Sequence, residues 1–145
     1  MSRLGSSIPI LLLMALHAPL AAQNFPSYPE EVSLAEEGRQ VYVYRRASTS
    51  QRLYTYDLDR PGQSSCNLGC ATMWPPVLAP RNAVPIGDWT AVARSDGSRQ
   101  WALKGKPVYT YLDDKPEDPS GDGVGGVWHL LPNTLIPATP VGAAK

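Results

Sequence analysis

From Gln40 onward, apolar and polar residues alternate in short runs separated by turn-forming residues. Val41-Tyr42-Val43-Tyr44 has a period of two, which predicts a strand with the valines on one face and the tyrosines on the other. Arg45 to Gln51 is polar and predicts a hairpin connection to a second strand, Leu53-Tyr54-Thr55-Tyr56, where Tyr54 and Tyr56 share a face. Arg60-Pro61-Gly62 turns the chain, because proline presets φ and glycine accepts a positive one. Pro75 and Pro76 end any helical turn and hold Trp74 extended, after which Val77 and Leu78 can resume a strand. Trp89 to Ala93 and Gln100 to Leu103 read as strands around Ser95-Asp96-Gly97-Ser98, whose Asp-Gly pair suits a hairpin turn. Val108 to Tyr111 follows the turn Lys104-Gly105-Lys106-Pro107. Asp113 to Gly126 is acidic and glycine-rich, and Val127 to Leu131 is the last expected strand, closed by Pro132.

The strand pattern contains a repeat. Tyr54-Thr55-Tyr56-Asp57-Leu58-Asp59 recurs as Tyr109-Thr110-Tyr111-Leu112-Asp113-Asp114. The copies lie about 55 residues apart, and Trp74 and Trp128 keep nearly the same separation. Each copy is followed by a basic residue and a proline, Arg60-Pro61 and Lys115-Pro116. Arg39-Gln40-Val41 also resembles Arg99-Gln100-Trp101, with a longer loop before the tyrosines in the first copy. So few strands cannot bury a face alone, so the halves are expected to pack as one unit. The fold class is therefore all-β, two related antiparallel half-repeats in one small domain with little helix. The halves run over about 38–79 and 88–132 of a duplicated domain at 38–132.

Composition supports this picture and sets the compartment. The 145 residues include 15 prolines and 12 glycines, which favours short strands and turns over long helices. The formal net charge is zero, so the electrostatic footprint of a nucleic-acid binder is missing. Arg3, the apolar run Ile8 to Leu16, and the small residues Ala21 and Ala22 have the layout of a secretory signal peptide over residues 1–22. The apolar run is shorter than the roughly 20 residues that span a bilayer, so no transmembrane segment is expected in the mature chain. Residues 23–37 are polar and proline-spaced and read as an N-terminal arm; residues 133–145 read as a flexible tail. A periplasmic or extracellular location, soluble after cleavage and permissive for disulfides, follows.

These motifs resemble a known family, the secreted-repeat proteins often called predicted lipoproteins, which carry a Yx(FWY)xxD motif. The matching residues are Tyr54, Tyr56 and Asp59; Tyr109, Tyr111 and Asp114; Cys66-x3-Cys70-Ala71; Trp74-Pro75-Pro76; the Asp96-Gly97 to Gln100 hairpin; and Gly121-Asp122-Gly123-Val124 leading to Trp128-His129. The resemblance covers about Gly38 to Pro132 and implies an exported, β-rich domain whose biochemical role is not established. No cysteine lies near the expected cleavage site, so lipid anchoring is not expected here.

The candidate chemistry centres on Cys66 and Cys70, the only cysteines. An even pair in an exported chain suggests a disulfide. Alternatively, two thiolates with the Met73 thioether and the His129 imidazole are ligands suited to Cu(I), giving a copper-binding protein. A thiol-redox role is the third possibility and requires a lowered thiol pKa. The loop around Asp118, Ser120 and Asp122 lacks the closing glutamate of a helix-flanked calcium loop and reads as a solvated turn. Asp59 and Asp114 are expected to accept hydrogen bonds from turn amides. The aromatic set of Tyr54, Tyr56, Tyr109, Tyr111, Trp74, Trp101 and Trp128 could stack a ring ligand but reads first as core. With no nucleophile motif, phosphate loop or zinc spacing, the expectation is a non-enzymatic binding or structural protein of the cell envelope with no cofactor and an unnamed partner.

Overall fold

A computed structural model describes residues 25–135. The expected signal peptide at 1–22 and the tail from residue 136 lie outside the described residues. The strands are β1 (Val32–Gly38), β2 (Val41–Arg46), β3 (Tyr54–Tyr56), β4 (Leu78–Ala79), β5 (Trp89–Ala93), β6 (Arg99–Leu103), β7 (Lys106–Pro107), β8 (Trp128–Leu130) and β9 (Thr134–Leu135). One five-residue helix, α1 (Gly69–Met73), and one 3-10 turn, Val124–Gly126, complete the elements. The protein is all-β, as its alternation and its turn residues dictate.

Three small sheets form, in the orders β1-β2-β9, β3-β8 and β4-β6-β5, with β7 also on β6. All pairings are antiparallel. The two outer sheets are related: each is a hairpin from one half completed by the exit strand of the other half. β1 and β2 come from the first half and receive β9, whereas β5 and β6 come from the second half and receive β4. At the centre, Tyr54 and Tyr109 bond each other's backbone, with Tyr54 N–H to Tyr109 O at 2.9 Å and Tyr109 N–H to Tyr54 O at 3.0 Å. An approximate two-fold axis passes between them. The surrounding bonds repeat across it: Asp57 N–H to Val127 O matches Leu112 N–H to Met73 O, both 2.9 Å, and Leu131 N–H to Leu53 O matches Val77 N–H to Val108 O.

Three segments differ from the sequence expectation. Val108 to Tyr111, expected as a strand, makes only isolated bridges from Tyr109 to Tyr54 and Pro76, and the short strand forms earlier, at Lys106–Pro107. Residues 32–37, read as part of the arm, join Gly38 in β1, which pairs with β2 with a register shift between Glu36 and Gly38. Its alternation is masked by Glu36 and Glu37 at an exposed strand end. Within the expected tail, Thr134–Leu135 forms β9 on β2. The valine/tyrosine alternation in β2 does not separate a buried face from an exposed one. Val43 and Tyr44 are both buried, so both faces of the strand are covered at that end. Register pairs Arg45 with Arg52 and Ala102 with Pro107. Tyr44, rather than Val41, therefore stands where Trp101 stands in the second half.

The core has two parts. One joins Val32, Tyr44, Leu53, Val77, Trp89, Trp101, Val108 and Leu131. The other holds the motif aromatics. Tyr56, Trp128, Trp74 and Tyr111 form a continuous stack, with successive centroids 4.2, 3.8 and 4.3 Å apart. Tyr54 meets Trp74 edge-on at 5.4 Å, and Tyr109 meets Trp128 edge-on at 5.1 Å. The edge-on contacts are those the aromatic quadrupole favours, and the order of rings in the stack is the same read from either end.

Candidate functional site

Each Tyr-x-Tyr segment, β3 in the first copy and a segment with isolated bridges at Tyr109 in the second, delivers its first tyrosine inward, and the chain then turns at the motif Asp. The two copies exchange partners. Tyr54 Oη donates to Asp114 Oδ2 at 2.5 Å, and Tyr109 Oη donates to Asp59 Oδ2 at 2.8 Å. The remaining carboxylate oxygens accept turn amides: Ser65 N–H bonds Asp59 Oδ1 and Ser120 N–H bonds Asp114 Oδ1, each at 2.7 Å. The expected amide role of the aspartates is thus half of their work; the other half ties one repeat to the other. Tyr54 and Tyr109 are fully buried. Burial, reinforced by the bond to Asp114, holds the Tyr54 phenol well above its usual pKa. Burial also raises Tyr109, with Ser64 opposing and Asp59 reinforcing. Burial pushes the Asp59 carboxyl upward against the Ser65 amide, the Tyr109 hydroxyl and the Arg94 charge.

Around Tyr109 the polar network extends further. Arg94, which is buried, donates from Nη1 to Ser64 Oγ at 2.9 Å and to Gln100 Oε1 at 2.6 Å. Ser64 Oγ lies 2.8 Å from Tyr109 Oη. Tyr109 spends its single proton on Asp59, so Ser64 must donate to it. A directed chain therefore runs from guanidinium through Ser64 and Tyr109 to a carboxylate. It joins a buried cation to a half-buried anion. Arg94 Nη2 also donates to Cys66 O at 2.8 Å, and Gln100 Nε2 donates to Val108 O. In the related position, Tyr54 Oη instead receives the Gly121 N–H at 3.2 Å. Gly121 must be glycine: a Cβ there would stand 2.9 Å from Trp74 Cη2 and 3.0 Å from the Tyr54 ring.

Cys66 and Cys70 are joined in a disulfide across α1, with Cα atoms 5.2 Å apart. The copper reading needed two thiolates, and in the disulfide the sulfurs are bonded to each other instead. Met73 is part-exposed, and His129 Nε2 sits 2.8 Å from Asp57 Oδ2, across an exposed strand edge. Among the described residues no three His, Cys, Asp or Glu side chains gather as a metal shell would. Trp74, Trp101, Trp128, Tyr54 and Tyr109 are buried as core, and Tyr56 and Tyr111 pack half-buried against them at the ends of the stack.

Two clefts occupy related positions, each where a motif turn from one half meets a hairpin loop from the other. The first, about 720 Å³, is lined by Glu37, Arg45, Ser50, Arg52, Pro116 and Glu117, among others. Glu37 bonds both buried arginines, and Arg45 Nη1 donates to the carbonyls of Ser50 and Pro116 at 2.7 Å. The second, about 190 Å³, involves Thr55, Asp57, Asp59, Arg60, Lys104 and Lys106. Gly62 N–H to Gly105 O at 2.8 Å stitches its two turns together. Ser50 and Gly105 correspond, and both take a left-handed φ, 59° and 79°. Sequence reasoning missed Arg45, Arg52, Arg94 and Glu37, because an isolated charge beside a turn signals solvent unless its distant partner is known.

This is a small all-β domain in which the two copies of the tyrosine–aspartate motif are bonded to each other. The second repeat matches the family model Lipoprotein_15, a secreted repeat of unknown function, over residues 90–131. That match bears out the resemblance read from the motifs, and it spans the second Tyr-x-Tyr copy, Asp114, Gly121 and Trp128. No curated protein matches the chain, and no solved structure does. The matched family is described as secreted, and among the described residues no helix is long and apolar enough to cross a membrane.

Proposed function

We propose that this is an exported, non-catalytic protein of the cell envelope that works as a rigid binding or structural module. One observation carries the reading: the residues with the most chemical potential are spent on each other. Both motif hydroxyls are buried and committed to carboxylates, and both cysteines are in a disulfide. A catalytic acid or nucleophile must be within reach of a substrate. These groups instead lock two halves into one frame, leaving recognition to the outer clefts and loops. Secretion follows from the family description and the leader-like N-terminus; a periplasmic location is the finer proposal.

The test is to express the full chain and measure where it fractionates and what mass it has. We expect a processed protein in the envelope or secreted fraction, lighter by two hydrogens than its reduced form. Asp59→Asn and Asp114→Asn should lower stability while leaving envelope association intact at temperatures where they remain folded. Loss of association in a folded variant would place function in the motif itself and sink the reading.

A further inference from the structure

We infer that the cleft between the Arg60 turn and the Lys104–Lys106 turn is a binding site for a phosphate-class oxyanion. The inference deepens the binding reading above by naming a ligand class. It starts from the contrast between the two related clefts. In the larger one, the arginines are already bonded to Glu37 and to backbone carbonyls. In the smaller one, three cations surround the opening and lack such partners. Among the described residues Arg60 and Lys106 form no ion pair, and Lys104 has only Asp88 at 3.7 Å, with both side chains mostly in solvent. An exposed pair of that kind holds its charges weakly.

The acids of the cleft, Asp57 and Asp59, are outnumbered by its three cations, and both oxygens of Asp59 already accept hydrogen bonds. Asp59 accepts from Ser65 N–H and Tyr109 Oη, and the cation that acts on it is Arg94, behind it in the core. Asp57 meets His129 at 2.8 Å. Three cations against two carboxylates leave the lining net positive. The cations are also carried on rigid backbone. Arg60 and Gln63 exchange backbone bonds at 3.2 and 2.9 Å, and Gly62 binds Gly105 O. Lys104 holds a left-handed φ of 51° ahead of Gly105, fixing the two lysines on either side of a tight turn. Three cationic side chains lining one cleft favour a multiply charged oxyanion over a single carboxylate. A volume of about 190 Å³ admits one such group rather than a large organic ligand.

The experiment titrates inorganic phosphate into the isotope-labelled mature protein and follows backbone amides. Saturable shifts confined to residues 55–61 and 104–107, weakening as salt is added, are expected. The Lys104→Gln/Lys106→Gln variant should bind about tenfold more weakly or worse, whereas Lys115→Gln, on the related turn of the other cleft, should not change binding. Arg60→Gln, on the opposite turn, gives an independent check if the lysine changes disturb the hairpin. Vesicles of phosphatidylglycerol in phosphatidylcholine, against phosphatidylcholine alone, separate the sources. Cosedimentation lost in the same variants assigns a lipid headgroup, and phosphate binding without cosedimentation assigns a free or polymer-borne group. Non-saturating shifts spread over all basic residues, with no vesicle binding, overturn the inference. That failure would remove the ligand class; the non-catalytic reading stands or falls on the aspartate variants instead.

Discussion

Tyr54 Oη donates to Asp114 Oδ2 across 60 residues of sequence, and Tyr109 returns the same bond to Asp59. The motif is thus a reciprocal clasp: each repeat supplies a donor to its sister's acceptor. Removing either hydroxyl strands a carboxylate oxygen in the core. Tyr54→Phe and Tyr109→Phe should each cost about 2 kcal/mol, the range for a lost hydrogen bond to a charged group. Urea denaturation monitored by tryptophan fluorescence measures it.

The same clasp makes the fold sensitive to alkali. Both phenols have folded pKa values raised above the ordinary 10.0, chiefly by burial. A raised folded pKa means that the native state holds its proton more tightly than the unfolded state. The stability this contributes is fully present below pH 10 and is lost as pH rises through the folded values. Spectrophotometric titration should show Tyr54 and Tyr109 ionising only as the chain unfolds. The Tyr54→Phe/Tyr109→Phe double variant should lack those late-ionising hydroxyls and show a flatter fall in stability with pH.

Much of the local structure was legible. Trp89–Ala93 has the bounds its alternation predicts, and the Asp96-Gly97 turn forms with Gly97 at φ 82°. The disulfide was readable from an even pair of cysteines in an exported chain. The crossing was not. Periodicity reports which face a side chain takes, not which strand lies opposite, so Asp59 looked like a local turn residue. The four-ring stack was hidden for the same reason: its members come alternately from the two halves. β1 escaped notice because Glu36 and Glu37 break its apolar pattern, though Glu37 is the partner of two buried arginines.

The disulfide supports the polar network as well as the loop. Closing so short a ring removes chain entropy from the unfolded state worth about 2 kcal/mol. It also fixes the segment whose Cys66 carbonyl accepts Arg94. Cys66→Ser/Cys70→Ser, or reduction of the native protein, should lower stability by at least that amount. Faster amide exchange is expected from Ser64 to Met73, without unfolding of β1–β2, as hydrogen-exchange mass spectrometry would show.

Gly121 tests the aromatic packing. It takes the place that Cys66 takes in the first half, and its Cα lies against the Trp74 and Tyr54 rings. Gly121→Ala forces those rings to move, an overpacking cost of about 1–3 kcal/mol. Trp74 and Trp128 are parallel within 3° at 3.8 Å, a geometry that couples their transitions. The variant should lose the resulting exciton band in circular dichroism before it loses its strands, whereas Gly97→Ala at the open hairpin turn should spare the band.

The exchange of strands between halves makes a prediction about folding. β9 completes the first half's sheet, β4 completes the second's, and β3 pairs with β8. Neither half owns a closed sheet or a complete ring stack: Trp74 without Trp128 leaves a large apolar face in water, and Asp59 without Tyr109 keeps only its amide bond. A chain cut after Val84, an exposed residue of the β4–β5 connection, should therefore give two fragments that are each unfolded. Mixed, fragments 23–84 and 85–145 should assemble one-to-one and recover the tryptophan exciton band. The recovery should depend on concentration, since the clasp that was intramolecular has become a binding reaction. A first fragment that folds alone with native near-ultraviolet dichroism would show that the halves are independent modules and that the clasp is incidental.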